Sequence, residues 1–274
     1  MPEGDTIHKI ARAMQPTLIG KRVEQLRLRN RGAVDAVKGE TIESIEAVGK
    51  HLLVRFSGNW GLRVHLGMKG RWRRYSNNTR RPAALHASVL LATADLAYVC
   101  TSARHAELVR RSDLERAVRE LGPDLLRPEP DLDEVLRRAR AAGNGDRAIG
   151  ELLLDQSVAS GIGNVFKSEV LFIKRIHPWM KTRFIDDERL RSLYAKAGEL
   201  MRANVRPGRR VTVELTMRRS ADRRLDPRLW VYGRIHQRCL VCGTHVDMDH
   251  QGDQARSTYW CPTCQKATRG PTEH

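Results

Sequence analysis

Residues 151–172 read ELLLDQSVASGIGNVFKSEVLF, two apolar helical runs either side of a glycine corner. Ile149, Leu152, Leu153 and Gln156 fall on the first helix; Val165, Glu169, Val170 and Phe172 fall on the second. The corner follows a helix rather than a strand and lacks the third glycine of a G-x-G-x-x-G loop, so it does not belong to a dinucleotide-binding βαβ unit. It delivers the chain instead to a helix N-terminus at Asn164. Two readings of that turn stand side by side. In one, backbone N–H groups and the Asn164 amide seat a phosphate; in the other, Asn164 is only the helix N-cap.

Upstream, DTIHKIARAM places Ile7, Ile10 and Met14 at helical spacing, with Asp5 or Thr6 available to cap. From Arg22 to Val99 the period shortens to that of strands: HLLVRF, GLRVHL, HASVLLA and LAYVC, separated by turns such as SGNWG and NNTRRPA. An antiparallel sandwich led by one helix fits this pattern. Helical spacing returns in SDLERAVREL, where Ser112 caps, and in DDERLRSLYAKAGELMRANV. Residues 206–228 are basic and weakly stranded, and read as a bridge.

The chain has 274 residues, with 49 lysines and arginines against 32 aspartates and glutamates, for a formal net charge of +17. Such an excess points to an anionic polymer as partner. A membrane is the weaker alternative, because no long apolar span and no signal-peptide core follow Met1. Nucleic acid is therefore the expected partner, and the reducing cytoplasm, on the nucleoid, the expected location.

Four of the five cysteines form two CxxC pairs, Cys239 with Cys242 and Cys261 with Cys264. Each pair supplies two thiolates across a tight knuckle, and four thiolates suit one tetrahedral zinc ion with no open position, hence a structural one. A disulfide cluster is the alternative. Residues 243–260 between the pairs leave room for a β-hairpin, with Arg256 near its tip, where a guanidinium can clamp a phosphate with two donors or simply face solvent. Cys100, alone in an apolar run, reads as a buried strand residue.

Three further positions carry open readings. Lys50 enters a strand behind a glycine, either solvated or facing phosphate. His65 closes a strand, and Met68 follows in the turn as core packing or as an apolar wedge for a base stack. The opening MPEGDT adds a chemical possibility. If Met1 is removed, Pro2 presents a secondary amine titrating near about 8, able to attack C1′ of a deoxyribose and expel the base. The resulting iminium makes strand cleavage by elimination a natural sequel. Glu3 is adjacent and can carry protons to the sugar or the leaving group.

MPEG, GKHLLVRF, HLGMKGRW, ELLLDQSVASGIGNVFKSEVLF, LWVYGR and the four-cysteine ending occur in one order across residues 2–265. Together they resemble the formamidopyrimidine-DNA glycosylase and endonuclease VIII family. MPEGDT and RLWVYGR look most like its actinobacterial endonuclease VIII-like branch. The resemblance implies an α+β multidomain fold: an N-terminal catalytic β-sandwich with its leading helix over 1–125, a helix–two-turn–helix domain over 126–228, a zinc ribbon over 229–266 and a disordered tail over 267–274. Damaged double-stranded DNA would be bent across the cleft between the halves, bound by a monomer.

The same resemblance makes Pro2 the nucleophile and Glu3 the general acid/base. Lys50 and Arg256 join this catalytic set by gripping, with Asn164, the phosphates around a flipped nucleotide. Glu169 is associated with the lesion site, Met68 lies in the turn that fills the void, and His65 belongs to the same DNA-facing turn. The implied activity is bifunctional, a DNA glycosylase and abasic-site lyase acting by β,δ-elimination. A non-catalytic damaged-DNA binder on the same scaffold is the alternative. Departures bear on the substrate. Asp5 and Thr6 replace the usual second Pro-Glu, and CTSARHAELV stands where the oxidised-guanine branch has Asp-Pro-Arg-Arg-Phe-Gly. HLGM replaces the Gln-Leu-Tyr turn of enteric endonuclease VIII. With the resemblance to the actinobacterial branch, this implies oxidised pyrimidines, abasic sites and hydantoins as substrates, pyrimidines foremost.

Overall fold

A computed structural model describes residues 2–76, 87–213 and 227–267, which fall into two compact units, Met1–Glu120 and Leu121–His274. The NNTRRPA turn, the middle of the basic bridge and all but the first residue of the expected C-terminal tail lie outside the described residues.

The first unit opens with helix α1 (Gly4–Leu18), whose Ile7, Ala11, Met14 and Leu18 form one buried stripe. Its N-cap is Glu3, with no side-chain cap, so Asp5 and Thr6 sit inside the first turn rather than capping it. Nine strands follow among the described residues: β1 (Gln25–Leu28), β2 (Gly32–Ala33), β3 (Ile42–Val48), β4 (His51–Phe56), β5 (Trp60–His65), β6 (Arg71–Ser76), β7 (Ala87–Ala92), β8 (Leu96–Thr101) and β9 (His105–Arg110). They form two antiparallel sheets, ordered β2-β1-β7-β8-β6 and β3-β4-β5-β9.

Alternation assigns the faces. Leu52, Val54 and Phe56 of β4, Leu62 and Val64 of β5, and Val89 and Leu91 of β7 meet the α1 stripe in one core. Each such side chain contributes roughly 1.5–3 kcal/mol by leaving water. Cys100 is buried in this core, and burial pushes its thiol up to about 12, the condition of an inert strand residue. Strand β9 lies beyond the strand-period run that ends at Val99, within the sandwich domain expected over 1–125. Its outer face carries His105 and Glu107, paired at 3.1 Å, and helix α2 (Arg111–Arg119) follows with Leu114 buried.

The second unit contains α3 (Leu132–Ala139), α4 (Ile149–Leu152), α5 (Asn164–Ile173) and α6 (Asp187–Ala203), then the hairpin β10 (Asp247–Gln251) and β11 (Arg256–Trp260). Helix α4 stops at Leu152, so Leu153 and Gln156 belong to the two turns and not to the helix. The Gln156 side chain ties these turns together. Its Nε2 donates to the Leu154 and Ile162 carbonyls, and its Oε1 accepts the Gly161 N–H at 3.0 Å. Gly161 has φ 112°, a conformation side chains disfavour, which explains the glycine at the corner. Leu152, Phe166, Val170, Leu193, Tyr194 and Met201 build this unit's main core. A satellite core joins Phe172 of α5 to Val231, Val246, Cys239 and Cys261. No helix among the described residues is long and apolar enough to cross a membrane.

Candidate active site and nucleic-acid interface

Pro2 is half-buried and Glu3 fully buried at the head of α1, where the Glu3 carbonyl accepts the Thr6 N–H at 2.9 Å and the Ile7 N–H at 3.2 Å. The helix therefore fixes the backbone one residue from the amine that loss of Met1 would expose.

In the same unit, Val48 pairs with His51, so Gly49 and Lys50 are the two central residues of the β3–β4 hairpin turn. Gly49 has φ 54°, the positive value that such two-residue turns require at the first position. Lys50 is thus carried on a turn rather than at a strand start. His51 and His65 are cross-strand partners with ring centroids 5.0 Å apart. Arg63 donates to His51 Nδ1 at 3.2 Å. His65 Nδ1 accepts the Gly67 N–H at 3.2 Å, which leaves Nε2 as the protonated donor of the neutral ring. Burial and then the Arg63 charge lower His51 to about 3; burial and then Lys50 lower His65 to about 4. Met68, three residues on, is 68% exposed, which removes the core-packing reading. Lys50, His65 and Met68 accordingly share one end of the sheet.

The histidines make stability pH-dependent with a defined sign. In the unfolded chain they titrate near 6.5, so as pH falls below that value the unfolded state takes up protons that the folded state refuses. Their contribution is complete above about 6.5 and is lost as pH falls towards about 4 for His65 and about 3 for His51. The urea midpoint is expected to drop between pH 7 and pH 4.5, less steeply for His51→Gln; equal slopes for the two proteins would contradict the assignment.

In the second unit, Gly163 is the N-cap of α5 and Asn164 its first residue, buried to 7% exposure, so the N-cap reading of Asn164 is replaced. The helix end carries partial positive charge. Arg256 begins β11, where Gln254 Oε1 accepts from its Nε at 3.1 Å and its Nη2 at 2.5 Å. That leaves the guanidinium edge away from Nε for an anion. Glu169 is fully buried. Its carboxylate accepts the backbone N–H groups of Trp230 at 2.7 Å, Val231 at 2.9 Å and Tyr232 at 2.8 Å, and the Thr212 hydroxyl. Burial pushes its pKa up, opposed by those four donors. In this arrangement Glu169 holds the LWVYGR run in place.

The four cysteine sulfurs lie within 4.8 Å of one another, with Cys239 and Cys264 at 3.9 Å and Cys242 and Cys261 at 3.4 Å. These separations are far beyond a disulfide bond. They match the edges of about 3.8 Å expected for a tetrahedron of thiolates about 2.3 Å from a metal ion. A hydrogen bond from Thr244 holds the Cys242 thiol down to about 6, while burial raises its neighbours Cys261 and Cys264. Gln265, absent from the sequence reading, is fully buried beside the knuckle: it accepts the Cys261 N–H at 3.0 Å and donates to the Ile176 carbonyl at 2.9 Å.

The chain matches the formamidopyrimidine-DNA glycosylase N-terminal domain over residues 1–106 and the formamidopyrimidine-DNA glycosylase H2TH domain over residues 121–214. It is 39% identical to a probable endonuclease 8 2 of Streptomyces coelicolor over 97% of this chain and 94% of that one. The chain belongs to the formamidopyrimidine-DNA glycosylase and endonuclease VIII family. A second relative is the DNA-(apurinic or apyrimidinic site) lyase Nei2 of Mycolicibacterium smegmatis, 33% identical over 98% of this chain and all of that one. Both relatives agree with the actinobacterial branch that the opening and the LWVYGR run suggest. Family folds from Lactococcus lactis superpose well. Its Fpg with abasic-site DNA gives a TM-score of 0.78 at 20% identity, and its Fpg with oxidised-pyrimidine DNA gives 0.78 at 21%, each over 97% of this chain and all of the other. At that identity the likeness establishes the fold, and the α+β family architecture expected from the sequence is present.

Proposed function

We propose that the chain is a bifunctional DNA glycosylase and abasic-site lyase that removes oxidised bases, pyrimidines foremost, from double-stranded DNA. The observation that carries this reading is Glu3: a carboxylate kept wholly out of solvent, one residue from the prospective terminal amine, at the head of a helix packed into the core. Burying a carboxylate is costly, and here the buried carboxylate lies beside the residue whose amine would do the chemistry.

The steps follow from the groups. The Pro2 nitrogen attacks C1′ of a nucleotide flipped from the stack, the C1′–N bond breaks, and the base leaves with the electron pair and a proton. Glu3 delivers a proton to the base or to the sugar ring oxygen; the C1′–O4′ bond opens, leaving that proton on O4′, and the Pro2 nitrogen, having lost its own proton, supplies its lone pair to form the C1′=N iminium. The iminium then withdraws electrons as the C2′ proton is lost and the C3′–O bond breaks, and a second elimination releases the 5′ phosphate. Lys50 and His65 engage phosphates from the first unit, Asn164 and Arg256 from the second, while Met68 fills the space left by the flipped base. Glu169 acts through the 230–232 backbone it anchors. One zinc ion on Cys239, Cys242, Cys261 and Cys264 supplies structure rather than chemistry. The reading also places the protein as a monomer on nucleoid DNA, which its net charge supports.

Glu3→Gln separates the steps. On duplexes with 5-hydroxyuracil its base release is expected to fall at least about a hundredfold, while cleavage of a preformed abasic site falls less. Equal losses on both substrates would sink the assigned role. Faster release of 8-oxoguanine than of 5-hydroxyuracil by the unaltered protein would overturn the substrate preference.

A further inference from the structure

We infer that Lys167 is a positioning residue that sets the spacing between the two phosphate-gripping side chains of the second unit, Asn164 and Arg256; the inference rests on their role in the function proposed above. Lysine is rarely buried outright, yet Lys167 has no exposed surface in the middle of α5. Its ammonium donates to Thr258 Oγ1 of β11 at 2.6 Å. Thr258 is also fully buried, and its hydroxyl lies 3.1 Å from Gln251 Oε1 and 3.2 Å from the Arg256 carbonyl. Gln251, 3% exposed on β10, donates to the Pro178 carbonyl at 2.9 Å. It also fills the space over Gly150 of α4, where a Cβ would lie 2.3 Å from its Oε1. Alongside, the Tyr259 N–H donates to Ser168 Oγ at 3.3 Å.

The geometry gives this buried chain a purpose beyond packing. Asn164 and Lys167 are one turn apart on α5, hence on one helix face. Arg256 and Thr258 are two apart on β11, hence on one strand face. The strut thus begins one helical turn from one grip and ends one strand repeat from the other. An apolar residue at 167 could fill the same volume, but dispersion contacts fix no hydroxyl and tolerate sliding. A directional hydrogen bond from the Lys167 Nζ to a buried hydroxyl holds one register.

The test uses the full-length, zinc-loaded protein and a duplex carrying a tetrahydrofuran abasic analogue. Lys167→Met is expected to keep its zinc, weaken binding about tenfold and reduce the cost of Arg256→Ala from about tenfold in the parent to under about threefold, the non-additivity of a coupled pair. Lys167→Arg, which keeps a donor, should restore most of the affinity. An unchanged cost of Arg256→Ala in the Lys167→Met background overturns the inference while leaving the clamp intact. If Arg256→Ala alone costs nothing, the clamp itself falls and the strut with it. Should Lys167→Met lose zinc, Thr258→Val, which removes the hydroxyl at nearly constant shape, gives the same cycle with the same criteria.

Discussion

Protein that retains Met1, or that carries Pro2→Gly, is expected to lose base excision by at least about a thousandfold. With Met1 in place the Pro2 nitrogen is a peptide nitrogen whose lone pair is delocalised into the carbonyl, so it cannot attack C1′. Glycine restores an amine, but a primary one, whose Schiff base can shed its nitrogen proton and become a weak electron sink. The iminium of a secondary amine has no such proton and stays cationic through both eliminations. Single-turnover release of 5-hydroxyuracil, with the N-terminus of each sample verified by mass, measures this. Undiminished release by the Met1-retaining form would remove the mechanism. The Glu3 backbone fixed by the α1 amides is the reason so small a change at the terminus should have so large an effect.

Removal of the zinc ion proposed for the four cysteines is expected to cost DNA affinity at least about a hundredfold. Structural zinc contributes roughly 10–16 kcal/mol of folding free energy in small thiolate sites, far more than any single contact in the hairpin. Cys239 and Cys261 are members of the small core that includes Phe172, Val231 and Val246, so loss of the ion leaves four neighbouring thiols to separate and opens that core to water. Arg256 and Thr258 both lie on the hairpin strand leading into the Cys261 knuckle, and both lose their place. Affinity for a tetrahydrofuran duplex before chelation, after it, and after return of zinc is the measurement. The same result is expected from Cys261→Ser. Full affinity in the metal-free protein would show that the ribbon does not position Arg256.

The parts of the molecule that announce themselves in sequence are those whose chemistry is local. CxxC pairs, a glycine corner ahead of an apolar helix, alternating strands and a Pro-Glu opening each need only a few neighbouring residues to be read. Strand β9 is hard to read in sequence because His105 and Glu107 on its outer face and Arg110 at its end make the segment polar until strand β5 pairs alongside. The extent of α4 was overdrawn because Gln156 fits the helical period, while its side chain closes the turn instead. Glu169, Lys167 and Gln265 look like surface residues from composition alone. Each is fully buried, and among the partners that make burial tolerable are groups 43 to 63, 91 and 89 positions away along the chain. No window of sequence contains such pairs.

The central claim is covalent catalysis by Pro2, and borohydride trapping tests it most directly. The protein, with Met1 removal confirmed, is mixed with duplexes bearing an abasic site or 5-hydroxyuracil, reduced, digested and analysed by peptide mass. The account predicts a stable adduct on the N-terminal peptide, with the added mass on Pro2, from both substrates. An adduct on a lysine peptide would contradict it, and no adduct at all while DNA binding persists would make the chain a damage-binding protein on an enzyme's scaffold.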